Sequence, residues 1–108
     1  MIDLIARQFR TLGEPYRLRL LQELQAGEKT VNEMVDALEG NQPNVSKHLK
    51  VLNDAGLVSR RKEGTSVVYG ISDPTALKLC QLVSRNETRK GKLQLKALIG
   101  NEKTGATR

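Results

Sequence analysis

The run of residues 42–52 constrains the fold of this chain more than any other segment. Val45, Leu49 and Leu52 recur at the spacing of one helical face, so the run predicts a helix with one buried side. The positions off that stripe carry hydrogen-bonding or cationic side chains, namely Gln42, Asn44, Ser46, Lys47, His48 and Lys50. Such groups read base edges or hold phosphates, so the pattern is typical of a helix that enters a groove of DNA.

The residues before this run predict a second helix and a short turn. Thr30 can cap a helix, and Glu33 three residues later completes a capping-box pattern. The apolar stripe of that helix consists of Val31, Met34, Val35 and Leu38. Gly40 and Asn41 predict a turn, and Asn41 can cap the next helix. Pro43 suits the first turn of that helix because its missing N–H costs nothing there. Together these elements predict a helix-turn-helix.

Two short strands are predicted after the helix-turn-helix. Residues 57–61 and 66–71 favour extended chain, and residues 63–65 suit the turn between them. Three cations lie close to the tip of this hairpin, Arg60, Arg61 and Lys62. A basic hairpin directly after a recognition helix is the wing of a winged helix-turn-helix, and its charges suit backbone phosphates or a minor groove.

Further helices are predicted on both sides of this unit. Residues 2–12 predict a helix that ends near Gly13, with Ile2, Ile5, Phe9 and Leu12 on one face. Pro15 opens a second helix that stops near Gly27, and its buried side includes Tyr16, Leu20, Leu21 and Leu24. Ser72 or Asp73 can cap a last helix, with Pro74 near its first position. The apolar stripe of that helix consists of Ala76, Leu79, Cys80 and Val83. The predicted fold is therefore mainly α with a small β-hairpin, in the order α-α-α-α-β-β-α.

The size of the chain predicts one modest domain. It has 108 residues, 3% aromatic residues and no Trp, so the core must be built from aliphatic side chains, which suits packed helices. The domain is predicted to span residues 1–99, with a short further helix at 93–99. Residues 100–108 lack an apolar face and are predicted to be a flexible basic tail.

Charge is distributed unevenly around a net charge of +6. Residues 42–66 hold five basic and two acidic side chains, and residues 85–108 hold seven and two, whereas residues 14–41 hold three basic and six acidic ones. Two positive zones beside an acidic one predict an oriented approach to a polyanion such as double-stranded DNA. No apolar run approaches the roughly 18 residues of a membrane span, and no secretory signal pattern is present, so a cytoplasmic protein is expected.

At this point the pattern resembles the ArsR/SmtB family of bacterial transcriptional regulators. The matching stretches are residues 12–21, 42–58 and 60–69, and the resemblance covers roughly residues 2–85. It implies a repressor that blocks a promoter until a signal lowers its affinity for DNA. It also implies a homodimer whose interface is formed by the first and last helices, here through Ile2, Ile5, Phe9, Leu79, Cys80 and Val83.

The chain lacks the ligands of that family's metal sensors. Val35 and Ala37 stand where one metal site has cysteines, and no histidine follows His48 to complete a second site on the last helix. Soft or borderline ions need thiolate or imidazole ligands, so neither a metal nor another cofactor is expected. Cys80 has no partner cysteine in its own chain. An unidentified inducer is left open.

Two residues invite more than one interpretation. His48 is expected to be exposed or to face DNA, and its protonation would then strengthen DNA binding below pH ~6.5. Cys80 is expected to be a buried, inert thiol. The alternative is oxidation between two copies of Cys80 across a dimer.

The sequence thus predicts a dimeric repressor that binds an inverted-repeat operator. The expected DNA-binding residues are Gln42, Asn44, Ser46, Lys47, His48, Lys50, Arg60, Arg61, Lys62 and Thr65. Two alternatives remain, a sequence-independent DNA-coating protein and a protein-interaction adaptor on the same fold. An enzyme is not expected, because the chain shows no Cys-His pair, paired carboxylates or glycine-rich phosphate loop in a credible context.

Overall fold

The helices and strands follow the predicted order, with one strand added. The computed structural model describes residues 1–86. Its elements are α1 (Ile2–Leu12), α2 (Pro15–Gln25), β1 (Lys29–Thr30), α3 (Val31–Leu38), α4 (Gln42–Asp54), β2 (Val58–Glu63) and β3 (Ser66–Ile71). Residues 75–86 are helical and are called α5 here. The predicted helix at 93–99 and the tail at 100–108 lie outside the described residues.

The sheet has three antiparallel strands rather than the two that the sequence predicts. Their order is β1-β3-β2, and Thr30 of β1 lies opposite Val68 of β3. A two-residue strand is too short to show any alternation of apolar side chains, so the sequence pattern does not reveal it. β2 also runs on to Glu63, which lies opposite Ser66, and the turn is confined to Gly64 and Thr65. Gly64 has a φ of +63°, a left-handed conformation that glycine adopts without strain.

The core lies where α2, α3, α4 and the sheet meet. The predicted apolar stripes supply its fully buried side chains: Leu20, Leu21, Leu24, Met34, Val45, Leu49 and Leu52. The base of the hairpin contributes three more residues to the core, Leu57, Val58 and Tyr69. Three partly exposed residues of α3 pack against this cluster, Val31, Val35 and Leu38. Aliphatic packing of this kind fixes the orientation of α4, which is the helix with the polar outer face.

The predicted caps of the two helices in the helix-turn-helix are present. The Glu33 N–H donates to Thr30 Oγ1 at 3.1 Å and the Thr30 N–H donates to Glu33 Oε1 at 2.8 Å, which completes the capping box of α3. Asn41 Oδ1 accepts from the N–H of Asn44 at 2.9 Å and caps α4. The start of each helix in the helix-turn-helix is therefore fixed by local hydrogen bonds.

The chain divides into two compact units, Met1–Leu77 and Lys78–Arg108. In the first unit, the apolar face of α1 is largely uncovered, since Ile2 is 75% exposed and Phe9 is 59% exposed. In the second unit, Leu79 and Cys80 are half-buried and Val83 is 59% exposed. Cys80 is thus not the fully buried thiol that the sequence predicts. Within residues 1–86, every helix is too short or too polar to span a lipid bilayer.

Candidate nucleic-acid interface

The turn between α3 and α4 lies in close contact with α2. Its left-handed residue is Glu39, with a φ of 52°, and the Gly40 N–H donates to the carbonyl of Val35 at 3.0 Å. Gly40 itself has no positive φ. A Cβ at Gly40 would collide with the hydroxyl of Tyr16, so glycine is needed here to let α2 approach the turn.

The outer face of α4 carries most of the predicted reading residues. Gln42, Lys47 and Lys50 are exposed, and Asn44 and Ser46 are half-buried. All five belong to one helix whose opposite face is locked into the core, so their positions relative to the rest of the unit are fixed.

The prediction that His48 is exposed is wrong, because its side chain is only 8% exposed. Its ring lies 5.3 Å from the ring of Tyr16, and Nδ1 accepts a hydrogen bond from Nε of Arg17 at 3.2 Å. Arg17 also donates from Nη1 to the carbonyl of Thr11 at 3.2 Å. His48 therefore joins α4 to α2 and, through Arg17, to the end of α1.

Burial lowers the pKa of His48 below its ordinary value of 6.5. The nearby carboxylate of Glu14 acts in the opposite direction, while the positive charges of Arg17 and Lys47 lower the pKa further. The fold thus favours the neutral ring, which is also the form that can accept a hydrogen bond at Nδ1.

A groove of about 480 Å³ runs between α4 and the wing. It is lined by Val31, Gln42, Ser46, Lys50, Asn53, Asp54, Arg60, Val67 and Tyr69. Four predicted DNA-binding residues therefore meet along one groove, three from the helix and one from the wing. Lys62, Arg61 and Thr65 do not line it. Asn53, which sequence analysis missed, donates from Nδ2 to the carbonyl of Val58 at 2.8 Å and links the end of α4 to β2.

The cations around the groove differ in their partners. Lys50 lies 3.1 Å from Asp54 Oδ2, an exposed pair one helical turn apart. Arg61 lies 2.5 Å from Glu28 Oε2 through Nη1 and 3.0 Å from Glu63 Oε2 through Nη2. Arg61 lowers the pKa of Glu28, chiefly by donating a hydrogen bond, and the two carboxylates raise the pKa of Arg61. Arg60 has no ion-pair partner within residues 1–86.

Potential metal ligands do not cluster in this part of the chain. Among residues 1–86, no group of three or more His, Cys, Asp and Glu side chains is placed so that it could hold a metal ion.

The fold and its groove define a winged helix-turn-helix protein, with α3 and α4 as the helix pair and β2–β3 as the wing. Residues 14–60 match the model of the family described as "Bacterial regulatory protein, arsR family". The chain is 44% identical over 80 residues to the "Probable mercury resistance operon repressor" of Streptomyces lividans, covering 74% of this chain and 64% of that protein. It is 37% identical over 73 residues to the transcriptional repressor SmtB of Mycobacterium tuberculosis, covering 68% of this chain and 54% of SmtB.

A solved structure shows the same fold. The homodimeric winged helix-turn-helix DNA-binding domain Mb0332 of Mycobacterium bovis, described as a possible ArsR-family regulator, superposes with a TM-score of 0.71 at 32% identity, covering 81% of each chain. The chain belongs to the ArsR family of bacterial regulatory proteins. It spans about half to two thirds of the length of the two curated relatives named above. The first is named a probable repressor and the second a repressor, and membership of this regulatory family confirms the predicted class of protein.

Proposed function

We propose that this chain is a repressor that binds a specific operator in double-stranded DNA as a homodimer. The observation that carries the proposal is the groove in which Gln42 and Ser46 of α4 meet Lys50 and the wing residue Arg60. Amide and hydroxyl groups discriminate between base edges, whereas cations hold phosphates of any sequence. A surface with both kinds of group, on a helix fixed by the core, supports sequence-selective binding more than simple coating.

The exposed apolar face of α1 supports a homodimer. Met1, Ile2, Leu4, Ile5 and Phe9 are between 44% and 87% exposed in the single chain. Contiguous apolar surface of this kind usually marks an interface, and the related M. bovis domain is homodimeric. Leu79, Cys80 and Val83 are proposed to take part in dimerisation as well, as the family resemblance implies. Two-fold symmetry would place two copies of α4 in successive major grooves, so the operator should be an inverted repeat with half-site centres about 10–10.5 bp apart or a multiple of that.

We further propose that DNA binding needs no metal ion and that any inducer is of another kind. The Streptomyces relative is named for mercury resistance, and soft metal ions select thiolate ligands. This chain has one cysteine, Cys80. Repression would take place in the cytoplasm, where bacterial DNA is.

Selection of bound sequences from a random duplex library tests the proposal. The purified protein is used at ~150 mM salt without added metal, because non-specific binding weakens as salt rises. Recovery of a palindromic motif would support a dimeric, sequence-selective repressor. Recovery of DNA without a motif would overturn the proposal in favour of a coating protein, and no recovery would overturn metal-free DNA binding and favour a protein adaptor.

Two variants then distinguish base recognition from phosphate binding. Gln42→Ala should relax the preference at one position of the operator, at a cost of about 1–3 kcal/mol on the preferred sequence. Lys47→Ala should weaken binding to all sequences alike and reduce the salt dependence. Equal behaviour of the two variants would contradict the assignment of α4 as the reading helix.

A further inference from the structure

The two neighbouring arginines of the wing lie on opposite faces of β2. Side chains alternate along a strand, so Arg61 shares one face with Ser59 and Glu63, while Arg60 is on the other. Arg60 lines the groove beside α4, and Arg61 does not. Ser59, which lies opposite Gly70 in the register, does not line the groove either.

Glu28 covers the face of the sheet that bears Arg61. It directly precedes β1, in which Lys29 lies opposite Tyr69 of β3. A Cβ at Gly70 would lie 3.0 Å from Cγ of Glu28, so the Glu28 side chain rests closely on the centre of β3. From there it reaches Nη1 of Arg61, thirty-three positions later in the chain.

Arg61 is already neutralised on that face. Its two terminal nitrogens bind one carboxylate each, from Glu28 and Glu63. The three side chains together carry a net charge of −1, so the cluster as a whole does not attract a phosphate. A guanidinium can join two carboxylates in a fixed geometry because its donors form a rigid fork, which an ammonium group cannot reproduce.

We propose that Arg61 is a positioning residue that fixes the wing to the segment before β1 through Glu28, and that Arg60 supplies the phosphate contact. This inference rests on the proposed function and reassigns Arg61, which the sequence places among the DNA-binding residues. The bridge joins residues about half exposed to solvent, so its effect on affinity is modest and depends on salt.

The first test uses the free protein and needs no DNA. Backbone ¹⁵N relaxation at Gly64 and Thr65 reports the order of the wing tip on the ps–ns timescale. Arg61→Lys keeps the charge but loses the fork, and should lower the order parameters at the tip. Arg60→Lys is the matched control and should leave them unchanged. Unchanged order in Arg61→Lys, with the melting temperature preserved, would overturn the positioning role.

The second test is a double-mutant cycle on DNA affinity with Glu28→Ala, Arg61→Ala and the double variant. Removing Glu28 deletes the same negative charge in both backgrounds, so the cycle cancels that general effect and leaves the coupling between the two side chains. If Glu28 acts through Arg61, Glu28→Ala weakens binding more when Arg61 is present, by about fivefold at most. If Arg61 instead binds phosphate and Glu28 competes for it, the coupling has the opposite sign.

The salt dependence of DNA affinity tests which of the two arginines contacts a phosphate. Arg60→Ala should reduce the slope of log affinity against log salt by about 0.9 per subunit, because one phosphate contact is lost. Arg61→Ala should change that slope much less. An equal loss of slope in both variants would overturn the division of roles.

The outcomes also separate this inference from the proposed function. If the unaltered protein binds no DNA, the proposed function and the contact assigned to Arg60 both fail, while the relaxation experiment still decides the positioning role of Arg61. If the unaltered protein selects an operator but the cycle has the opposite sign, the inference fails alone.

Discussion

Helix α4 and the wing border the same groove, but different forces hold them in place. Val45, Leu49 and Leu52 anchor α4 with no exposed surface at all. In β2 only Val58 is buried, whereas β3 contributes Tyr69 to the core. Beyond its hydrogen-bonded register with β3, the edge strand β2 is held by the ion pairs of Arg61.

This difference teaches that the two halves of the interface should respond to different conditions. Apolar packing is non-directional and insensitive to moderate salt, whereas exposed ion pairs contribute about 0–1 kcal/mol and are screened by salt. Helix α4 should therefore keep its orientation under conditions in which β2 becomes loose. The predictions below test this contrast, from the largest expected effect to the smallest.

Removing the apolar anchor of α4 should have the largest effect. Leu49→Ala deletes a fully buried side chain and should lower the free energy of unfolding by about 2–5 kcal/mol. Lys50→Ala, the neighbouring exposed position, is the control and should cost no more than about 1 kcal/mol. Urea unfolding measures both, and similar midpoints would contradict the view that packing fixes α4.

The contact between α2 and the turn should be sensitive to a single methyl group. Gly40→Ala introduces a Cβ against the hydroxyl of Tyr16 and should cost about 1–3 kcal/mol of stability. That hydroxyl is buried and has no hydrogen-bond partner in the described part of the chain. Adding Tyr16→Phe should therefore restore most of the loss in thermal unfolding. Equal stability of the single Gly40→Ala variant and the double variant would show that the strain lies elsewhere.

The stability of the fold should depend on pH through His48. Its pKa is lowered in the folded state, so the unfolded chain binds more protons between the two pKa values. This contribution to stability is present above the unfolded value of 6.5 and declines as the pH falls below it. Protonation at Nδ1 would also remove the acceptor for Arg17. The expected result is acid destabilisation rather than the stronger DNA binding that an exposed histidine implies.

His48→Asn isolates this effect because its Oδ1 can take the place of Nδ1 as an acceptor without titrating near neutral pH. Thermal unfolding is measured between about pH 7.5 and 5.5, the range in which histidine titrates. Over this range the melting temperature of the variant should fall less than that of the unaltered protein. An identical slope in both proteins would assign the acid sensitivity to other groups.

Breaking the ion pair between Lys50 and Asp54 on α4 should have the smallest effect. It tests on α4 the same kind of competition for a cation that the carboxylates exert on Arg61 in the wing. Asp54→Asn frees Lys50, which lines the groove, and should raise DNA affinity by up to about fivefold. In a Lys50→Ala background the same change should do much less. If the gain persists without Lys50, it comes from the general loss of negative charge and not from release of the lysine.

Local signals predicted most of the fold. The spacing of Val45, Leu49 and Leu52 and the Thr30–Glu33 capping box depend on residues within one or two helical turns, and the structure confirms both. The Lys50–Asp54 pair has the same local character, and its i, i+4 spacing was an available signal.

The burial of His48 and the ion pairs of Arg61 both depend on contacts between distant segments. His48 lies off the apolar stripe of α4, and its burial comes from Tyr16 and Arg17 on another helix. Arg61 looks like its neighbour Arg60 in the sequence, and only the added strand β1 brings Glu28 beside it. Helical periodicity describes one element at a time, so it does not report which charges meet across the sheet.

Thr30 belongs to two elements at once. It pairs with Val68 in the strand that carries the wing, and its side chain caps the helix that begins the helix-turn-helix. Local opening of the sheet at this point would release the first turn of α3 as well. Amide hydrogens of the wing base and of the α3 N-terminus should therefore exchange as one cooperative unit, with a shared opening free energy. The base of the wing and the first turn of α3 would then loosen together, through the backbone of one residue.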